Sequence, residues 1–559
     1  MAQQQNVTIS APGAQGLNSE DSPLEQNPGF CAEATNAVVD RLGRLGSRDA
    51  FSSFAPAPSL TYTVHGSAVS AVTALHRIGN GDIGGVNTTL VTASVIQKDA
   101  SGIQVQADYF ICSLSGATLT ELTLPSVSVP AALADAKIVS FNDRLYVFSE
   151  GNEAMEFDGT SLSLLFTGVA DTDYIAPQDD TGVIASSING DVACAAYGRL
   201  WVSGVGGDYN TVHYSDLLIA TQWYDGRASP ADSQNTGGFI AVDEFWPSGS
   251  DRVVSIVAHN NALFIMGRQS ILVYNNAASG DPAAADGLFL ADTVTNIGCV
   301  SRDAVANIGS DVLFLDDSGV RSLGRTIQEK SAPLGNLTAN IQREITEDIR
   351  QVSDKSTLAL SYWPEDNLTV AIFPETDSAF VLNMRAPSLS GGYKVTRWTK
   401  CVWERALYIE SGGTARVLLT ADALLEYSDG SNHDGESFEF AYESQPLTFG
   451  QPANLKLIKQ IDYTVVSAQS DTTAVAEWAY RGGRDYSKNL TIPAAIPALY
   501  GVAEYGTALY GPGLATTRRY RVNAKGSGET VSIGFRADVN GNACSLQEIN
   551  VQTLLGRTL

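Results

Sequence analysis

The sequence predicts an all-β protein: a degenerate β-propeller of six or seven blades with an inserted amphipathic helix and a C-terminal β-sandwich. Three observations predict this. One strand–turn–strand phrase recurs through the middle of the chain at a nearly constant interval. A single segment carries a helical period, and beyond residue 435 the strands lengthen and alternate more cleanly. The division that follows is a leader with a hairpin over 1–59, a propeller-like region over 60–435 and a sandwich over 436–559.

The leader does not repeat. Ala11-Pro12-Gly13 and Gly16-Leu17-Asn18 change the chain direction, because Gly reaches positive φ at little cost and Asn does so better than most residues. Asp21-Ser22-Pro23 is a second break. Asn27-Pro28 reads as a helix cap followed by Pro at the first helical position, opening a short helical turn with Phe30, Ala34 and Cys31 facing inward. Ala37 to Val39 reads as a strand, which Asp40-Arg41-Leu42-Gly43 turns back into Arg44-Leu45.

The repeated phrase is a β-branched or aromatic strand, a short polar turn and a strongly apolar strand. Taking Asn142, Gly198, Asn260, Ser310, Asp366 and Ala421 as turn centres, the intervals are 56, 62, 50, 56 and 55 residues. A period near 50 with two to four strands per unit is that of a propeller blade. Second hairpins such as Ala154 to Phe157 and Ile271 to Tyr274 supply outer strands, and residues 60–125, starting at Leu60 to Val64, supply one more blade or close the ring. No Trp-Asp dipeptide ends a repeat, and Asp316-Asp317-Ser318-Gly319 lacks the Thr-Trp of a sialidase box. A tandem of sandwiches is the competing architecture.

Leu337, Ile341, Ile345 and Ile349 recur every four residues, so a helix over about 336–352 is expected, capped by Asn336 and packed on a blade edge or against a neighbouring subunit. After the loop 428–435, strands at Phe438 to Tyr442, Lys456 to Val466 and Ala474 to Tyr480 alternate as in a sandwich with one wet face. Tyr-Gly pairs at Tyr500, Tyr505 and Tyr510 mark an aromatic loop, a candidate surface for a protein partner.

The chain is acidic through a shortage of bases: 35 Lys and Arg against 61 Asp and Glu, a net charge of −26. Residues 451–559 hold 11 basic and 8 acidic residues, so the first 450 carry about −29. Such a surface repels nucleic-acid phosphates. The six cysteines stand more than 80 residues apart and read as small buried hydrophobes. No metal, cofactor or catalytic residue is expected. The five histidines lack zinc-hydrolase spacing, and neither a G-x-S-x-G elbow nor a phosphate loop occurs. Asp538-Val539-Asn540-Gly541-Asn542 lacks the later Glu of a calcium loop and reads as a hairpin turn. A carboxylate pair of the glycosidase kind is defined in space and leaves no spacing to find. No apolar run reaches eighteen residues and the N-terminus has no basic-then-apolar leader, so no membrane insertion and assembly in a cytoplasm are expected.

The leader resembles the N-terminus of the tail nozzle proteins of short-tailed bacteriophages, also called tail tubular B-type or tail hub proteins. The matching residues are Gly16, Leu17, Asn18, Asp21, Ser22, Pro23, Phe30 with Glu33 and Ala34, Asn36, Gly43, Arg44, Leu45, Gly46 and Arg48. The ending is similar too: Arg519 to Val522, Val531 to Asp538, Ser545 to Gln552 and Gly556-Arg557. The resemblance implies a structural virion protein, not an enzyme: a hexameric ring below the portal and adaptor, contacting tail fibres or tailspikes, through which DNA passes without specific binding. The alternative is a receptor-binding or glycan-active propeller of the same tail; a host scaffold propeller is a third reading.

Overall fold

Two-residue turns set the repeat. In the computed structural model, Asn142 and Asp143 take φ of 46° and 58°, and Asn260 and Asn261 take 49° and 61°. Both central positions at positive φ give the hairpin turn whose twist matches its strands, and Asn and Asp tolerate it best. The described residues are 3–22, 27, 29–39, 43–56, 70–98, 104–166, 178–179, 182–183, 187–223, 236–247, 249–276, 287–329, 335–388, 392–411, 414–428, 436–452, 454–467, 471–481, 485–492, 516–541 and 543–558.

Six small antiparallel sheets ring an axis as propeller blades. Blade 1 holds Ser70–Ile83, Val86–Lys98, Gln104–Ser115 and Thr118–Glu121; blade 2 begins at Lys137–Phe141, blade 3 at Val192–Ala196, blade 4 at Ser255–His259 and blade 5 at Val305–Asn307. Blade 6 is Arg405–Ser411, Thr414–Thr420 and Leu424–Ser428, and its outer strand is Ala50–Ala55 from the leader. Between blades 5 and 6 stands a four-stranded limb, Ala359–Trp363, Leu368–Phe373, Ser378–Pro387 and Tyr393–Thr399, whose first strand packs on the first strands of both neighbours. The limb continues through the leader strand Phe30–Thr35 into Phe438–Ser444, Val531–Val539, Thr472–Tyr480 and Asp485–Ile492, making a ten-stranded sheet. A seven-stranded sheet built on Asn454–Ser467, Cys544–Thr558 and Thr516–Asn523 faces its far half. Ile461, Tyr463, Val465, Ile549 and Val551 pack there against Phe440, Ala476, Phe535 and Ala537, which is the sandwich core.

Apolar clusters lie between successive blades. Trp201 and Tyr214 of blade 3 join Leu263 and Ile265 of blade 4 in one cluster; Phe51, Trp363, Trp398, Trp403 and Tyr427 fill the seam of the limb and blade 6. Five cysteines are buried and Cys194 is half-buried, all as free thiols.

Several expectations need correction. The short turn of helix after Asn27 is the strand Phe30–Thr35. A β-bulge between Cys31 and Glu33 turns both Cys31 and Ala34 inward, so a three-residue spacing imitates a helix. The last repeat, centred on Ala421, is not an innermost hairpin; it joins the second and third strands of blade 6. Every hairpin of a blade carries the same apolar pattern, so the pattern cannot rank them. Asn540-Gly541 links the two sheets of the sandwich and closes no hairpin. Strand Leu60 to Val64 lies outside the described residues.

The amphipathic helix is present with its four-residue face fully buried, at Leu337, Ile341, Ile345 and Ile349. It starts later than expected: a short 3-10 turn, Ala339–Ile341, precedes the α-helix Gln342–Gln351 (α2). Asn336 does not cap it, because its Oδ1 accepts from the Thr338 backbone N at 2.9 Å one turn earlier. The cap comes from the leader, where a Glu20 carboxylate oxygen accepts from the Arg343 backbone N. An unforeseen first helix, Leu323–Glu329 (α1), follows blade 5.

Candidate functional site at the leader seam and the propeller axis

Most leader residues singled out above converge where propeller, leader and sandwich meet. Gly16, at φ +81°, lies so close to the limb that an added Cβ would stand 2.6 Å from the Val395 N. Leu17 is buried beside it. The buried Asn18 shapes the next turn: its Oδ1 accepts from the backbone N of Glu20 and Asp21, and its Nδ2 donates to Asp21 Oδ2 at 2.8 Å. That turn delivers Glu20 to α2. Ser22 is exposed, Phe30 is buried, and Pro23 lies outside the described residues.

Asn36 joins three parts of the chain. Held at φ 51°, it donates through Nδ2 to Thr399 Oγ1 of the limb at 2.9 Å and to the Glu439 carbonyl of the sandwich at 2.8 Å. Its Oδ1 accepts from the Thr399 N at 2.9 Å and from Arg48 Nε at 3.2 Å. Arg48 itself has no exposed surface. Its guanidinium lies 4.3 Å from the ring of Phe51, in the outer strand of blade 6, and 4.1 Å from that of Phe438, in the sandwich. Burial lowers its pKa, yet two ring faces and the Asp49 carbonyl at 3.0 Å keep the cation in place. Gly43 and Arg44 lead into the second strand of the leader's hairpin, Leu45–Ser47, and Gly46 passes so near Cys544–Thr558 that a Cβ would meet Ser545 Oγ at 2.6 Å.

The second constellation escaped the sequence. Near the starts of three innermost strands and beside the bulge in the first strand of blade 1, Asp303 gathers four cations: Lys137 Nζ at 2.8 Å, Arg405 Nη2 at 3.3 Å, Arg302 Nη2 at 3.4 Å and Arg77 Nε at 3.8 Å. Arg302 also reaches Asp191 Oδ2 at 3.2 Å and Asp135 Oδ1 at 3.1 Å, and Ser255 Oγ donates to its carbonyl. All six blades therefore contribute, and Arg405 also donates to the Ser356 and Thr357 carbonyls at the base of the limb. Burial alone would raise the Asp303 pKa; Lys137, Arg302, Arg405 and Arg77 instead hold it well below the usual carboxylate range. Burial, then the neighbouring Arg77, lowers Arg405 to about 10. Beneath this plug is a cavity of only about 160 Å³ lined by Ile138, Val305 and Leu407. Above it a polar hollow of about 430 Å³ is lined by Asp191, Tyr209, Arg252, Arg302 and Asp354. Charged residues scattered at 77, 137, 302–303 and 405 share no spacing, so only ring closure reveals them.

No family model and no curated protein matches the chain. Solved structures that resemble it include YCF48 bound to D1 peptide, at 7% identity over 66% of this chain and 97% of that one, with a TM-score of 0.31. Kluyveromyces lactis Hsv2p matches at 11% identity over 58% and 99%, with a TM-score of 0.28. The exo-β-1,3-galactanase of Phanerochaete chrysosporium with galactose matches at 10% over 89% and 100%, with a TM-score of 0.25. Likeness at these scores transfers no ligand or activity.

Among the described residues no group of three or more His, Cys, Asp or Glu side chains is placed to hold a metal ion, and no helix is long and apolar enough to cross a membrane. Tyr500, Tyr505 and Tyr510 lie outside the described residues.

Proposed function

We propose that this chain is a structural subunit of a short-tailed phage tail, forming a six-fold nozzle ring below the adaptor through which DNA leaves. The observation that carries the reading is the leader: the residues that resemble the nozzle proteins include Asn18, Asn36, Gly46 and Arg48, which lace leader, propeller and sandwich into one body. Ties of this kind suit a subunit that must stay rigid under load. The plugged axis adds a constraint. A cavity of about 160 Å³ cannot pass a duplex, so the conduit of this reading runs between subunits, flanked by the acidic surface of residues 1–450. The test is negative-stain imaging of the purified protein alone and mixed with the adaptor of its phage. Six-fold rings with an open centre are the expected result; a compact trimer in both samples would overturn the reading.

A second reading is favoured by the polar hollow over the axis, where Asp191, Asp354, Arg252 and the Tyr209 ring converge as saccharide hydroxyls and a sugar face require. It makes the chain a receptor-binding or glycan-active propeller of the tail. Retention on host surface polysaccharide, lost in a Tyr209→Ala variant of unchanged melting temperature, would favour it over the nozzle.

A further inference from the structure

The sandwich carries two built surfaces of opposite charge on its two different sheets. The strand Thr516–Asn523 is an edge of the seven-stranded sheet. Arg519 and Arg521 project from it with side chains 54% and 66% exposed, and Lys459 and Lys525, also exposed, lie near the strand's end, where the Ala524 N donates to the Lys459 carbonyl. The carboxylate beneath them, Asp462, is almost wholly buried; it fixes the two guanidinium groups at 2.8 Å and 3.2 Å and leaves their outer edges to solvent. On a chain of net charge −26, so basic a strand is an exception.

The outer face of the ten-stranded sheet shows the reverse. A groove of about 430 Å³ is walled by Glu443, Glu477 and Asp485 and floored by Ala479, Ser532 and Gly534. The nearest cation, Arg536, is already divided among Glu33, Glu439 and Glu477. Burial and then the neighbouring Glu33 push the Glu443 carboxyl up, and Arg536 offsets part of that rise.

We propose that the basic edge strand of one copy docks in the acidic groove of the next, so that the sandwiches assemble head to tail. The occupant is a second copy because the chain's own charge supplies the complement, while about −29 over residues 1–450 opposes nucleic acid. The two surfaces differ, so the contact is heterologous and leads to a closed ring or a fibre. A planar guanidinium fits paired carboxylates bidentately, and the groove offers them in Glu443, Glu477 and Asp485. This inference rests on the ring reading above and names its contact.

The test is the mass of the intact protein by light scattering across a salt series, with two variants. Arg519→Gln with Arg521→Gln keeps donors for Asp462, and Glu477→Gln with Asp485→Asn keeps the shape of the groove. Each is expected to weaken self-association about tenfold or more, as does high salt in the unaltered protein. Charge-reversed partners (Arg519→Glu with Arg521→Glu, mixed with Glu477→Lys and Asp485→Lys) are expected to assemble together and not alone. Salt-insensitive association unchanged in both variants overturns the contact while leaving the ring, and a monomer throughout the salt series overturns it as well. Association that the variants abolish but that never shows six-fold averages keeps the contact and removes the nozzle ring.

Discussion

Arg48 is the residue on which the seam turns. A guanidinium with no exposed surface is costly to bury, and here it is compensated by Asn36, a backbone carbonyl and two ring faces. Arg48→Ala removes those contacts, leaves Asn36 Oδ1 with the Thr399 N as its remaining donor and opens a hole between Phe51 and Phe438; a loss of about 2–4 kcal/mol is expected in urea unfolding. Arg48→Lys keeps the charge without the planar stacking and should fall between the two. The sequence marked Arg48 and Asn36 through a resemblance, but their partners lie some 360 to 400 residues away, at Thr399, Phe438 and Glu439. Gly16 reads as a turn residue and takes φ +81°, and the close approach of Val395 adds a second need for a missing Cβ; at Gly46, marked only by the resemblance, the need is the approach of Ser545.

At the scale of elements, the leader is a strap. Gln3–Ser10 pairs residue for residue with the last long strand, from Gln3 opposite Leu555 to Ser10 opposite Glu548. Ala50–Ala55 completes blade 6, and Glu20 caps α2. Removing residues 1–10 should uncover an edge of Cys544–Thr558 and leave the propeller intact. Removing 1–55 should open blade 6 and expose Leu424 and Leu418, which pack against Ala55. Limited proteolysis with mass spectrometry distinguishes them: cleavage confined near the C-terminus in the first case, spreading through 405–428 in the second. Hairpins such as 137–148 and 255–266 were legible because Asn and Asp mark the turn and apolar residues mark the strand. The bulged strand Phe30–Thr35 and the displaced start of α2 were not, because a bulge changes the period and a cap from residue 20 is invisible at residue 342.

For the whole molecule, the Asp303 hub ties six blades and the limb at one point on the axis. Four cations converge on one carboxylate with 12% of its side chain exposed, so Asp303→Asn leaves Arg77, Lys137, Arg302 and Arg405 facing one another. A loss of about 3–5 kcal/mol is expected, read in urea unfolding at pH 7. The pH dependence has a definite sign. Because the folded-state pKa of Asp303 lies below its unfolded value, its contribution is complete above the unfolded pKa and disappears as pH falls through the folded one. Melting temperatures of the parent should therefore drop more steeply than those of Asp303→Asn as the solution is acidified below about pH 4. Equal slopes would show that the hub is not a stabilising ion cluster.

Sequence by itself determined the fold class, the repeat, the buried face of the helix and the separation of charge between residues 1–450 and 451–559. These properties are local or additive: turn chemistry, strand period and net charge need no knowledge of what lies across the molecule. Tertiary structure alone decided which strands are innermost, where the leader goes, how one sheet runs from propeller into sandwich, and that the axis is closed by ions. Each of those is a meeting of residues tens to hundreds of positions apart, fixed by the closing of a ring and the packing of sheets, and neither leaves a spacing along the chain.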